Sequence, residues 1–143
     1  MTQYRKTRWG VHLGSFSALV VLVSGLTGCG GSEAQRCEEL FSSSIGAVAG
    51  VESVEVDCRV QLGGGWERVS VHLATSDADE AREIGRSVLR AVAEEPEMDP
   101  QWSTPQGYYL QDGTEASIDR RELGFNGVPT VGEVREVFDI QVD

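Results

Sequence analysis

From Ala34 onward the apolar positions first recur at helical spacing. Cys37, Leu40, Phe41, Ile45 and Val48 stand at offsets 0, 3, 4, 8 and 11, one stripe of an α-helix. Gly50 is a natural stop. The period then drops to two. Val54, Val56, Cys58, Val60 and Leu62 alternate with Glu55, Asp57, Arg59 and Gln61, which predicts a strand with one buried and one polar face. Gly63-Gly64-Gly65 predicts a turn. Val69, Val71 and Leu73, alternating with Arg68, Ser70 and His72, predict a second strand and thus a hairpin. Ser76 to Asp79 reads as a capped helix start with acids at the positive helix end. Ala81, Ile84, Val88, Leu89 and Val92 form its apolar stripe, and Glu94-Glu95-Pro96 closes it.

The rest of the chain repeats the theme less cleanly. Residues 96–105 hold Pro96, Pro100 and Pro105 around Trp102 and read as an ordered loop. Tyr108 to Leu110, an Asp112-Gly113 turn and Ala116 to Ile118 predict a second hairpin. A loop over 120–129 is expected to turn Leu123, Phe125 and Val128 inward. Thr130 to Glu133 is a capping box opening a short last helix through Val131, Val134, Val137 and Phe138. The tail from Phe138 to Val142 fits a strand as well. The expected order is αββ-αββ-α: a four-stranded antiparallel sheet with helices on one face, an α+β domain. By analogy this resembles a permuted ferredoxin-like fold, and the analogy carries no function.

Ahead of Ala34 the pattern changes character. Arg5, Lys6 and Arg8 precede an apolar run centred on Phe16 to Val23, small residues follow, and no acid occurs before Glu33. Basic, apolar and small-residue parts in that order make a secretory leader. The apolar part is shorter than the roughly 20 residues a membrane span requires. Leu26-Thr27-Gly28-Cys29 ends it. This tetrapeptide resembles the lipobox of bacterial lipoproteins. The resemblance implies a diacylglyceryl group on the Cys29 thiol, cleavage after Gly28, and a membrane anchor facing the extracytoplasmic side. It divides the chain into a leader over 1–28, a lipidated N-terminus and flexible tether over 29–33, and one domain over 34–143.

Composition narrows the partners. Without the leader, nine basic residues remain, all arginine, against 23 acids, a formal balance of −14. That excludes nucleic acid as a partner and disfavours electrostatic docking on anionic lipid. With Cys29 assigned to lipid, Cys37 and Cys58 remain as an even pair on facing apolar surfaces. Outside the cytoplasm such a pair favours a disulfide; two separate buried thiols are the other reading.

Catalytic patterns are sparse. His72, the single His after the leader, lies two residues from Ser70 on one strand, about 7 Å away and beyond hydrogen-bond reach. Glu94, Glu95, Glu97 and Asp99 read as a solvated helix end. Asp77 to Glu80 lacks the later ligands of a calcium loop. No nucleophile elbow, metalloprotease or dinucleotide motif occurs. Trp66, Trp102, Tyr108, Tyr109 and His72 are the candidates for a binding patch, with aromatics packed as lids over the core as the alternative. Neither a metal nor a cofactor is implied, only the lipid on Cys29. The expected protein is a monomeric, lipid-anchored envelope module, non-catalytic, that binds or scaffolds an envelope protein or ligand. Two other readings remain: a small carboxylate-dependent enzyme acting on a glycan, and a ligand- or ion-binding module near His72.

Overall fold

The helical stripe from Cys37 becomes α1, Cys29–Gly46, in a computed structural model that describes residues 29–61 and 64–143. Cys37, Phe41 and Ile45 are buried along it. The helix starts at Cys29, ahead of the apolar stripe, so Gly30 to Glu33, expected as a flexible tether, are helical. Two glycines weaken a helix by about 1 kcal/mol each relative to alanine. Gly31 has open space around it, so no packing compensates there. The expected leader over 1–28, including Leu26, Thr27 and Gly28, lies outside the described residues, as do Leu62 and Gly63.

β1 (Val51–Gln61) and β2 (Gly64–Leu73) pair antiparallel, with Gln61 opposite Gly64 and Val56 opposite Val69. Their shared inner face carries Cys58, Val69, Val71 and Leu73 into the core against α1. The Cys58 amide, on the free edge of β1, donates to the Glu38 carboxylate of α1 at 3.3 Å. That bond covers part of an edge otherwise open to strand addition.

α2 (Ala78–Glu94) buries Ala81, Ile84, Gly85, Val88, Leu89, Val92 and Ala93. Its cap is Asp77 rather than Ser76: the Asp77 carboxylate accepts from the amides of Asp79 and Glu80. Asp77 wins because the Thr75 hydroxyl, buried beneath it, fixes its amide and donates to Glu80. The far end of α2 lacks a capping glycine. Arg135 serves instead, donating to the carbonyls of Ala93 at 2.9 Å, Glu95 at 2.8 Å and Met98 at 3.3 Å. Arg135→Ala should lower stability by about 2 kcal/mol, because it orphans carbonyls served by a charged donor. The thermal midpoint should fall by about 8 °C, and Arg135→Lys should recover little of it. An unchanged melting curve would remove the cap from the account.

The expected four-stranded antiparallel sheet is not formed, nor is the αββ-αββ-α order. The sheet has three strands in the order β1-β2-β3, and β3 (Gly107–Tyr109) runs parallel to β2. A strand, a long helix and a strand make a crossover, which returns the chain to the end it left and aligns the two strands. The fourth strand fails for a local reason. The Asp112-Gly113 turn forms, with the Gly113 amide donating to Leu110, and Ala116 bonds back to Tyr108. Pairing then stops at one bridge, Tyr109 with Glu115. Beyond it Ile118 drops into the core over Gly85, where a Cβ on the glycine would strike it. Arg120 donates to the carbonyls of Pro105 and Gln106, which immediately precede β3.

α3 (Val131–Phe138) opens on the expected capping box, Thr130 with Glu133, and packs on α2. It ends at Asp139 in a left-handed conformation, so the tail continues no strand. Leu123 and Phe125 turn inward, whereas Val128 is exposed.

Candidate functional site

The sheet positions the candidate surface. The inner face of the sheet and the helices α1, α2 and α3 contribute to one core, while the outer face carries Glu55, Asp57 and Arg59 on β1, Arg68, Ser70 and His72 on β2, and Tyr109 on β3, all exposed or half-buried. His72 and Tyr109 are register partners, and their rings stack at 5.3 Å with an interplanar angle of 24°. Gly107 makes this possible: a Cβ there would come within 2.9 Å of the Tyr109 hydroxyl, so only a glycine lets the ring lie along the sheet. Beside the stack, a depression of about 480 Å³ is lined by Arg68, Ser70, Gln106, Tyr109 and Glu115, with Val128 at one side.

Loop residues missed in the sequence build its wall. Gln106 extends β3 through its side chain: Oε1 accepts from the Val69 amide at 2.7 Å and Nε2 donates to Thr104 at 2.8 Å. Glu67 accepts from the Ser103 amide, which ties its carboxylate to the loop. Nothing in the period of two marks Gln106; its role depends on the crossover that sets β3 beside β2.

The five patch candidates do not share one place. His72 and Tyr109 meet. Trp66 stands apart near the end of the β1–β2 hairpin, with the Arg68 guanidinium 4.9 Å and that of Arg59 6.0 Å from its ring centre. Trp102 is half-buried and tilted against Phe41 at 5.8 Å. Tyr108 lies in the core, its neighbour Tyr109 on the outer face. The acids at the end of α2 serve local roles: Glu97 pairs with Arg36 at 2.9 Å, and Asp99 accepts from the Gln101 amide. A second depression of about 390 Å³, between α2 and residues 118–123, is lined by acids and arginines. Its Arg82 is held by Asp79 at 2.8 Å and Asp119 at 3.7 Å.

Cys37 and Cys58 are joined in a disulfide, with Cα atoms 6.2 Å apart. Among the described residues no group of three or more His, Cys, Asp and Glu side chains converges as metal ligands would, and no helix is long and apolar enough to cross a membrane. Burial pushes the Tyr108 phenol well above its usual range, and the Arg120 guanidinium lowers it only in part. A raised phenol keeps its contribution below the unfolded-state value near 10 and loses it as pH climbs beyond, because the unfolded chain ionises first. The urea midpoint should therefore fall between pH 8 and pH 11 in the wild type and fall less in Tyr108→Phe. Equal losses in both would show that another group controls alkaline unfolding.

No family model, curated protein or solved structure matches this chain.

Proposed function

We propose that the protein is a bacterial envelope lipoprotein: exported, cut after Gly28, held to the membrane by lipid on Cys29, and acting as a binding or scaffolding module rather than a catalyst. The observation that carries this reading is the Cys37–Cys58 disulfide. Such bonds persist outside the reducing cytoplasm. Pairing these two also leaves Cys29 as the odd cysteine, at the position where Leu26-Thr27-Gly28 places a lipid acceptor. Two acyl chains hold a small domain on a bilayer where one does so only marginally. The uncovered sheet face around His72 and Tyr109 is where a partner or ligand docks in this reading.

Cys29→Ala should abolish labelling by a fatty-acid probe and leave the precursor unprocessed. Label that persists on this variant would end the lipoprotein reading. A photo-cross-linking residue in place of Tyr109, used in intact cells, tests the docking face. A discrete adduct should appear there and be absent when the same residue replaces exposed Glu83 on α2.

A further inference from the structure

We propose that the β1–β2 hairpin is a second membrane contact, with Trp66 seated among lipid headgroups between Arg59 and Arg68. The proposal rests on the anchor at Cys29 and adds an orientation to it. α1 and β1 are joined by a short turn, so they run in opposite directions, and the Cys37–Cys58 bond fixes them side by side. Cys29 lies about 12 Å beyond Cys37 along the helix. Gln61 lies about 10 Å beyond Cys58 along the strand. Both distances run the same way. The residue that carries the lipid and the end of the hairpin therefore leave the domain together.

The loop after α2 bonds to β2 at Glu67 and Val69, and Trp66 lies nearer the hairpin end than either contact, opposite Arg59. Trp66 is 39% exposed and Val60 42%. An indole flanked by two guanidiniums matches the bilayer interface in chemistry. The ring prefers the headgroup level, and a guanidinium pairs with phosphate in bidentate fashion. Asp57 holds Arg59 at 3.1 Å, while Arg68 forms no ion pair among the described residues. The domain as a whole is strongly acidic and would not seek an anionic surface unaided. A lipid at Cys29 changes that by making the contact intramolecular, so that a weak, local attraction suffices.

The test uses the processed, fatty-acid-labelled protein in phosphatidylethanolamine–phosphatidylglycerol vesicles, with plain lipids or with acyl chains brominated near the headgroup. The contribution of Trp66 is the difference in emission between wild type and Trp66→Phe, so Trp102 need not be altered. In plain vesicles that difference spectrum should lie at shorter wavelength than in detergent-free solution of the protein released by proteolysis at the anchor, and in brominated vesicles it should be lost. Arg59→Gln with Arg68→Gln should restore it. Protein that carries label and sediments with vesicles, yet shows no bromine-dependent loss, overturns the contact and leaves the anchor standing. Protein that carries no label and stays in the supernatant overturns the anchor and the contact with it.

Discussion

Phe41→Ala should destabilise the domain by about 3 to 5 kcal/mol and shift the emission of Trp102 to longer wavelength. Phe41 has no exposed surface and lies at the centre of the α1 stripe. On one side it supports the half-buried Trp102, whose ring lies 5.8 Å away. Removing the phenyl ring takes away transfer free energy and leaves a cavity that rigid neighbours on β1, β2 and α2 cannot close. Trp102 comes from a loop without regular structure, so it moves first. Urea unfolding gives the stability loss, and the emission maximum of the folded variant gives the movement. A loss below about 1 kcal/mol would mean that the site collapses easily.

Loss of the Cys37–Cys58 bond should lower stability by about 3 kcal/mol, the loop-entropy value for its span of 21 residues. The thermal midpoint should fall by about 12 °C. The bond links the most local element, α1, to the strand it covers, so the reduced chain keeps both surfaces but must find their register unaided. Melting with and without reductant, together with Cys37→Ser/Cys58→Ser, measures the effect. Thiol titration of the denatured, unreduced domain should detect neither cysteine. Two free thiols there, or identical melting in both conditions, would contradict the bridge.

Local pattern made most elements legible. The stripe of α1, the alternation of β1 and β2, the stripe of α2 and the Thr130 capping box all express single-period information. The pairing of Cys37 with Cys58 could be read for the same reason, since each sits on the apolar face of its own element. What failed was non-local. Tyr108 to Ile118 looks like a hairpin, yet Ile118 has a better place over Gly85, and Arg120 holds the two carbonyls just before β3. The direction of β3 followed from the crossover through α2, which the apparent repeat of helix and two strands concealed. The site suffered the same way. His72 was visible on the polar face of its strand and Tyr109 only as a patch candidate, and their stacking needs β3 parallel to β2 and a bare Gly107 beneath the ring.

The disulfide has a mechanical side. In a protein tethered at Cys29, any drag on the domain enters through α1. The turn holding Gly30 and Gly31 yields first, and unwinding the eight residues up to Cys37 adds about 15 Å of reach. There the strain meets a covalent stop that passes the load sideways into β1, across the ladder to β2, and past the rest of α1. The leash can lengthen under tension while Phe41 and Ile45 stay seated, so the domain rides out a pull without being peeled open from its anchored end.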